Sequence, residues 1–328
     1  SFSSPEELFE EKGYLVKALK PDGTLMLNAD DKDVLLVRRA EDIPEHRFGL
    51  NSIWAFELTD SHQPVWGKMI QFRGYKNQHF EDPRIIPIVR NRYLLSYTTF
   101  VMNVDGRGIH ARAEWYGAHQ QCAMLNDEFG VLGLIDPVYG VNSGSVMTNL
   151  LGPDGRPGLE KNWLWFEHDG ALHTIYKTYP EHEVLRWGVA YNAPDVVYKS
   201  KTHVDFLWIH GHARGGTPPV RIGNLYWSFF HSSTPWVNGK RRYHMGAYAF
   251  SAKPPFRVRY WTPEPLLTGS LKDPWEPGQP LVVFPCGALL RDNKWFVTLG
   301  VNDMASAWIE IPHEELERQV KEIPYHGK

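Results

Sequence analysis

The sequence predicts an all-β protein: a five-bladed β-propeller with short helical segments near its two ends. Three observations support this prediction. Five apolar hairpins recur along the 328 residues, strand-like segments lie between them, and long amphipathic helical patterns are scarce. Repetition of a unit of about four strands is typical of propeller blades. We expect one domain over residues 1–328, because all-β folds often exceed the usual domain length.

Each hairpin consists of an apolar strand, a tight polar turn and a second apolar strand. A β-helix would need a shorter repeat, and a large β-sandwich gives no reason for five similar hairpins. The five turns are expected near Asp31, near Asn91, at Asp169-Gly170, at Gly223-Asn224 and at Asp292-Asn293.

Helices are expected only near the ends of the chain, over residues 5–12 and 312–321. The second segment has Glu314 and Glu315 early and Lys321 late. This order of charges suits the helix dipole, which favours acidic residues in the first turn and basic residues in the last.

The composition is that of an ordinary globular protein, with 42% apolar and 22% charged residues. The net charge of −3 argues against nucleic acid or an anionic membrane as the main partner, because phosphate-backbone binding needs a basic surface. No apolar run is long enough to span a bilayer. With only Cys122 and Cys286, a reducing, cytoplasmic location is the simpler interpretation. A trimmed leader and a homo-oligomer both stay open.

Four of the five hairpins follow a polar or Pro/Gly-rich segment, which we call a head. In a propeller, equivalent ends of the blades face one mouth of the central channel, so the heads would converge on one pocket. Pro83 restricts the backbone of Asp82, which would hold that carboxylate with little freedom. The alternative is that this Asp-Pro pair is only a turn. The heads are residues 81–84 (EDPR), 160–163 (EKNW), 215–219 (GGTPP) and 284–287 (FPCG).

Thirteen Trp, 15 Tyr and 16 Phe make the chain rich in aromatic residues. Aromatics favour strands, and core packing accounts for most of them. Sugar rings also stack on aromatic faces. Trp163, Tyr97 and Trp227 are therefore candidates for sugar stacking, with core packing as the alternative.

The order of several motifs resembles glycoside hydrolase family 130, which comprises β-mannoside phosphorylases and some β-mannosidases. The motifs are "EDPRI" with "RYLLSYT", then "KNW", then "GGTPP" with "FFHSS", then "MGAY", and finally "VVFPCGALL" with "GVND". The resemblance covers about residues 34–311, and "EDPR" is its strongest single motif. Related families include β-mannosyltransferases and five-bladed furanosidase propellers.

The resemblance implies an enzyme that cleaves or forms β-mannosidic bonds of an oligosaccharide or glycoside with inversion. Asp82 would be the general acid, protonating the leaving oxygen through a hydroxyl of the −1 mannose. Inorganic phosphate, as co-substrate, would attack the anomeric carbon from the opposite face. An apolar pocket would help the acid to keep its proton near neutral pH. No cofactor is expected.

A phosphate needs a cationic, hydrogen-bonding site. The candidates are Lys161, Lys177, Arg214 and His231. Lys177 departs from the family, because many relatives have "HR" before a Pro where this chain has "IYKTYP". Arg214 is not part of the family's pattern and would serve either phosphate or an acid group of the substrate.

Substrate hydroxyls are expected to contact residues of the heads and two further positions. Neighbouring strand positions face opposite ways, so only one of Arg38 and Arg39 should point into the pocket, and we favour Arg39. The full set is Arg39, Arg84, Asn162, Thr217 and Asp303. No metal is expected, since no Cys or carboxylate completes a ligand set with His203, His210 and His212.

Three alternatives stay open at this point. Phosphorolysis is slightly favoured over hydrolysis, but an inverting hydrolase needs a second carboxylate as base, and Glu160 and Asp136 are candidates. A mannosyltransferase on the same scaffold would use mannose 1-phosphate or a nucleotide sugar. A sugar-binding propeller without catalysis would not need a rigid Asp82.

Overall fold

The computed structural model describes residues 16–19, 27–28, 34–41, 50–58, 64–71, 79–88, 92–103, 114–140, 142–143, 158–188, 193–201, 209–235, 241–269, 281–302 and 305–324. Nearly every element in these ranges is a β-strand, which confirms the all-β class. Helix α1, His313–Gln319, confirms the predicted C-terminal helix. The other predicted helix, residues 5–12, lies outside these ranges. No helix in the described part of the chain is long and apolar enough to cross a membrane.

The first two sheets come from the N-terminal half of the chain. The first has the order β2-β3-β4-β5, with β2 Leu27–Asn28, β3 Val34–Glu41, β4 Leu50–Leu58 and β5 Pro64–Met69. The second contains β6 His79–Ile88, β7 Arg92–Asn103, β8 Glu114–Leu125, β9 Val131–Ile135 and β12 Gly158–Leu159. Its order is β12-β8-β7-β6, and β9 also pairs with β8. A short ribbon, β10 Val138–Tyr139 with β11 Asn142–Ser143, follows β9.

Three further sheets follow along the chain. The third has the order β13-β14-β15-β16, with β13 Leu164–His168, β14 Ala171–Lys177, β15 Glu181–Trp187 and β16 Pro194–Lys201. The fourth contains β17 Arg214–Gly215, β18 Val220–Ile222, β19 Leu225–Pro235, β20 Arg241–Ser251, β21 Val258–Trp261, β22 Leu267–Thr268 and β26 Lys321–Glu322. The fifth has the order β1-β25-β24-β23, with β1 Val16–Leu19, β23 Val283–Arg291, β24 Lys294–Val301 and β25 Ala305–Pro312.

The strands of all five predicted hairpins pair with each other, as β2–β3, β6–β7, β13–β14, β18–β19 and β23–β24. The turns expected near Asp31 and Asn91 lie outside the described residues. Five of the six described turn residues have the left-handed backbone that Gly, Asn and Asp tolerate best. Their φ angles are 48° at Asp169, 74° at Gly170, 57° at Gly223, 48° at Asp292 and 60° at Asn293. Local turn chemistry therefore fixes where these hairpins reverse.

The fifth sheet joins the two ends of the chain. Strand β1 pairs antiparallel with β25, with Val16 opposite Ile309. A ring of blades can close in this way, because first and last strands then share one sheet. The five sheets agree in number and chain order with the predicted blades, and their arrangement around one axis stays a prediction.

The chain divides into two compact units. Unit 1 comprises Ser1–Leu27, Ile175–Leu185 and Val197–Lys328, and unit 2 comprises Asn28–Thr174 and Arg186–Val196. The single domain over residues 1–328 stays a prediction.

The main core of unit 1 forms on one face of the fourth sheet. Alternate residues of β19 and β20 share this face, since side chains alternate along a strand. Trp227, Phe229, Met245 and Ala247 are buried there against Trp295 and other residues of the fifth sheet. Burying each large apolar side chain contributes roughly 1.5 to 3 kcal/mol, so this face is the rigid base on which the polar residues farther along β19 and β20 are held.

Candidate active site

Asp82 lies on a β-bulge in β6. Glu81 pairs with Thr98 and Arg84 pairs with Ser96, so Asp82 and Pro83 together stand opposite a single residue of β7. The φ angle of Asp82 is 49°, in the left-handed region that residues other than Gly rarely adopt. The Asp-Pro pair is therefore not a turn between strands. The bulge takes a partly buried Asp82 out of the regular strand pairing.

The guanidinium of Arg84 supports the bulge from inside the protein. Arg84 is only 1% exposed. Its Nη1 donates to the backbone carbonyl of Asp82 at 3.1 Å, and its Nη2 donates to Oδ1 of Asn162 at 3.5 Å. A buried guanidinium needs such acceptors, because an unpaired charge inside a protein is very costly. The direct substrate contact expected of Arg84 stays a prediction, and two hydrogen bonds of its guanidinium go to Asp82 and Asn162.

The second head, residues 160–163, is anchored at both ends. Buried Glu160 accepts a hydrogen bond from Trp163 Nε1 at 3.1 Å, and Trp163 stacks on Trp187 with ring centroids 6.1 Å apart. Asn162 is buried with a left-handed φ of 67°. Lys161, between two buried neighbours, is exposed, and its ammonium makes no hydrogen bond or ion pair with any described residue. Unit 2 thus brings Asp82, Arg84 and Asn162 together.

Both candidate bases for hydrolysis accept a hydrogen bond from a neighbouring side chain. The Glu160 carboxylate is bound by Trp163. Asp136 follows β9, and its Oδ1 accepts a hydrogen bond from Gln121 Nε2 at 2.7 Å. Burial raises the pKa of Asp136, which the bond from Gln121 and nearby His119 partly offset.

The register of the second sheet separates Asp136 from the bulge. Tyr97 stands opposite the bulge and pairs with Gln121, and Cys122 pairs with Ile135, so Asp136 continues the same row on the fourth strand. The backbones of Asp82 and Asp136 are thus three interstrand spacings apart, roughly 14 Å. A base in an inverting hydrolase stands roughly 6.5 to 9.5 Å from the acid.

In unit 1, Arg214 on β17 and His231 on β19 are cross-strand partners. Directly opposed residues of an antiparallel pair extend from the same face of the sheet. The His231 ring is buried against Phe284, with centroids 4.4 Å apart, and stacks with Tyr243 at 6.0 Å. Arg214 is exposed, and among the described residues its guanidinium has no hydrogen-bond or ion-pair partner. Two of the four predicted phosphate ligands are therefore neighbours.

Arg241 is a third basic residue on this face, and it was not predicted from the sequence. Its register partner is Pro235, two positions beyond Ser233 on β19. Arg241 Nε donates to Ser233 Oγ at 2.9 Å, and Nη2 donates to the Ser233 carbonyl at 3.0 Å. A guanidinium has five N–H donors, so three remain without a partner in the described part of the chain. The signal in the sequence is the basic pair Arg241-Arg242 at the start of β20.

The third head, GGTPP, packs tightly against β19. Thr217 is fully buried, its N–H donates to the Phe229 carbonyl at 2.9 Å, and its Oγ1 accepts from the Phe229 N–H at 3.0 Å. A Cβ at Gly216 would lie 2.4 Å from the Phe229 oxygen, which explains why glycine stands there. The N–H and the hydroxyl of Thr217 thus bind the Phe229 backbone, and a substrate contact by this residue stays a prediction.

The fourth head contains a second bulge. Pro285 pairs with Leu299 and Gly287 pairs with Thr298, so the register shifts at Cys286. Cys286 is buried, and its thiol donates to the Phe284 carbonyl at 3.2 Å. The two heads at the start of β6 and β23 therefore have the same backbone feature, although only the first presents a carboxylate.

Of the remaining predicted ligands, only the side chain of Lys177 is described, and its described contact brings it into neither cluster. Lys177 is exposed at the end of β14, with its ammonium 5.1 Å from the centroid of the Tyr176 ring. Arg39 lies on β3 opposite Ser52. Asp303 lies outside the described residues. The proposed stacking residues Trp163, Tyr97 and Trp227 are buried, so core packing accounts for them.

Comparison with solved structures shows the fold that this chain shares. A β-1,2-mannobiose phosphorylase from Listeria innocua, solved with β-1,2-mannobiose, matches with a TM-score of 0.59 and 16% identity over 93% of this chain and 92% of that one. This match, together with the two structures described next, confirms the resemblance to glycoside hydrolase family 130. A mannose phosphorylase from Leishmania mexicana in complex with a phosphate ion matches with a TM-score of 0.56 and 13% identity over 94% and 87% of the two chains.

The shared fold also includes a transferase. A GDP-Man-dependent mannosyltransferase from Leishmania mexicana matches with a TM-score of 0.57 and 13% identity over 90% of this chain and 89% of that one. No protein-family model and no curated protein sequence matches the chain. At these identities the likeness establishes the fold, and the chemistry has to be argued from the residues.

Proposed function

We propose that this protein is an inverting carbohydrate-active enzyme that cleaves or forms β-mannosidic bonds, with inorganic phosphate as the nucleophile. The observation that supports this most is the bulge that holds Asp82 out of the strand pairing. Unlike the left-handed residues of the hairpin turns, Asp82 has this backbone within a strand and before a buried Pro, and strained backbone of this kind clusters at functional sites. Arg84, whose guanidinium binds the Asp82 carbonyl, is also buried, and burying a charged group costs free energy that an ordinary turn would not require.

In the proposed reaction Asp82 is the general acid. An oxygen of the phosphate attacks the anomeric carbon while the bond from that carbon to the leaving oxygen breaks. The leaving oxygen takes the proton of a hydroxyl on the −1 mannose, which in turn takes the proton of Asp82. A β-mannoside and phosphate thus give α-mannose 1-phosphate and the alcohol or sugar to which the mannose had been linked.

Phosphate is favoured over water because the described residues offer cations without acidic partners. Lys161 in unit 2, and Arg214 and Arg241 in unit 1, have N–H donors that no described residue uses. Charge-assisted hydrogen bonds from such groups hold phosphate well. A hydrolase would instead need a free carboxylate near Asp82, whereas Glu160 accepts a hydrogen bond from Trp163 and Asp136 lies three strands from the bulge.

A panel of β-mannosides, incubated with and without phosphate, tests the proposal. We expect mannose 1-phosphate only when phosphate is present. Free mannose without phosphate would replace phosphorolysis by hydrolysis. No turnover of any β-mannoside under either condition would contradict the proposal as a whole.

Mannosyl transfer is the second candidate, favoured by the fold shared with the GDP-Man-dependent enzyme. It predicts activity only with an activated sugar donor and an acceptor. A sugar-binding protein without catalysis predicts that Asp82→Asn keeps full affinity for the sugar and that no activity is found.

A further inference from the structure

We infer that Arg84 is a positioning residue that couples the proposed acid Asp82 to the second head through Asn162. This inference rests on the proposed function. It gives Arg84 a role different from the substrate contact that its sequence motif predicts. Because Asp82, Arg84 and Asn162 all belong to unit 2, the coupling lies within one compact part of the protein.

The first argument is that Arg84 joins the two strained residues of this cluster. Asp82 and Asn162 both have positive φ angles, 49° and 67°. Each such residue costs on the order of 1 kcal/mol and persists only where surrounding contacts hold it. The Arg84 guanidinium donates one hydrogen bond to each of these two residues.

The second argument concerns what each bond fixes. The 3.1 Å bond to the Asp82 carbonyl fixes the peptide plane that follows the Asp82 side chain. Pro83 fixes φ on the other side of that plane. The direction in which the carboxyl leaves the backbone is therefore set by Arg84 and Pro83 together.

The third argument concerns direction at Asn162. A guanidinium can only donate, so Oδ1 of Asn162 must face Arg84 and the Nδ2 donors must point elsewhere. A ligand oxygen bound by Nδ2 would pull on the same side chain. At 3.5 Å the Asn162 bond is the longer of the two, so it is the contact that such a ligand can tighten. A ligand bound at the second head would then change the position of the Arg84 guanidinium, and with it the orientation of the Asp82 carboxyl.

Leaving-group dependence separates this role from simple support of the fold. A poor leaving group, such as a sugar alcohol, needs protonation, whereas a dinitrophenolate does not. For Arg84→Lys we expect kcat/KM to fall roughly 10- to 100-fold on a β-mannoside with a sugar leaving group. On the dinitrophenyl β-mannoside the expected loss is within about threefold, because no proton is transferred there.

Two further variants complete the experiment. Asn162→Gly keeps the left-handed backbone without strain and removes only the side chain. It should show the same selectivity, and it keeps the test decisive if Arg84→Lys does not fold. Arg92→Lys is the matched control, since Arg92 is exposed on the neighbouring strand β7. It should leave both substrates unaffected.

The outcomes separate this inference from the proposed function. Equal losses on both substrates, or no loss, in Arg84→Lys and Asn162→Gly would overturn the coupling. A selective loss in Asp82→Asn in the same experiment would still support Asp82 as the general acid. If the wild-type protein turned over neither substrate, the proposed function would fail, and the role of Arg84 in it would fail too.

Discussion

Arg214 and His231 face each other across β17 and β19, on one face of the fourth sheet. Arg241 reaches the same face from β20, where Ser233 holds its guanidinium through two hydrogen bonds. The apolar core of unit 1 ends close to these residues, since Phe229 and Met245 are the neighbouring positions on the same two strands. Such basic side chains can hold a phosphate through direct, charge-assisted hydrogen bonds.

Removing either member of the Arg214–His231 pair should weaken phosphate binding. For Arg214→Gln and His231→Gln we expect KM for phosphate to rise roughly tenfold or more, because a hydrogen bond to a charged group contributes about 1.5 to 3 kcal/mol. KM for the glycoside should change much less. Initial rates measured against phosphate and glycoside separately give both constants.

Arg221→Gln is the matched control for this measurement. Arg221 is exposed on β18 of the same sheet, and its partner Tyr226 belongs to the opposite face from His231. The control should leave KM for phosphate unchanged. If Arg214→Gln raised KM only for an acidic glycoside, Arg214 would bind the substrate's own acid group instead of phosphate.

Asp82→Asn should preserve the fold and remove the acid. The amide is isosteric with the carboxyl, and Asn tolerates the left-handed backbone at least as well as Asp. Turnover of a β-mannoside with a poor leaving group should therefore fall by roughly 10² to 10⁴, the usual contribution of a positioned acid. An unchanged melting temperature with near-normal turnover would make Asp82 a structural residue of the bulge.

The hairpins could be predicted from the sequence because their causes are local. Asp292 and Asn293 tolerate left-handed backbone, and the residues on either side alternate as strands do, so four or five residues suffice to place the turn. The interruption of strand pairing at Asp82 also has a local cause, since Pro83 has no N–H to donate to the neighbouring strand.

The site contacts could be predicted only in part, because they depend on residues far away in the chain. Arg84 was expected to contact the substrate, and its hydrogen bond to Asn162, a residue 78 positions later, could not be read from the local sequence. Thr217 was expected to face substrate, but the register of β19 places the Phe229 backbone against it. Arg241 was missed because strand alternation shows that Arg241 and Arg242 face opposite ways without showing which face is functional.

Asp136→Asn should leave the catalytic rate almost unchanged. Asp136 is three strands away from the bulge, and an Asn Oδ1 can still accept the bond from Gln121. We expect kcat/KM within about threefold of wild type, since no proton transfer is lost. Asp127→Asn, at an exposed position in the turn between β8 and β9, is the control. A loss of hydrolysis specific to Asp136→Asn would identify Asp136 as a base and contradict phosphorolysis.

The same substitution has a stability consequence with a definite sign. Burial raises the pKa of Asp136 in the folded state, so the folded protein holds this proton more tightly than the unfolded chain does. The corresponding stabilisation is complete below the unfolded pKa of about 4 and is lost as pH rises through the folded value. At pH 7 Asp136→Asn should therefore be at least as stable as wild type. Its advantage should shrink as pH falls towards about 4, as measured by urea unfolding.

His182 on β15 is a buried histidine that must stay neutral in the folded protein. Its ring Nδ1 carries a proton and donates it to the Phe256 carbonyl at 2.8 Å. The rings of Phe250 and Tyr248 lie against it, with centroids at 4.9 Å and 5.8 Å. Burial lowers the pKa of His182 to about 4, although the bond to Phe256 opposes this shift.

The protein should therefore lose stability in mild acid, in part through His182. Below pH of about 6.5 the unfolded chain takes up a proton at this histidine, and the folded protein does not until the pH reaches about 4. Stability falls wherever the unfolded state binds more protons, so the free energy of unfolding should decrease by on the order of 3 kcal/mol between these values.

His182→Asn keeps a donor for the Phe256 carbonyl and cannot titrate. Its unfolding free energy, measured from pH 7 to pH 4.5, should fall less steeply than that of wild type. His212→Asn, at an exposed position, should follow the wild-type curve. Parallel curves for His182→Asn and wild type would show that this histidine does not contribute to acid sensitivity.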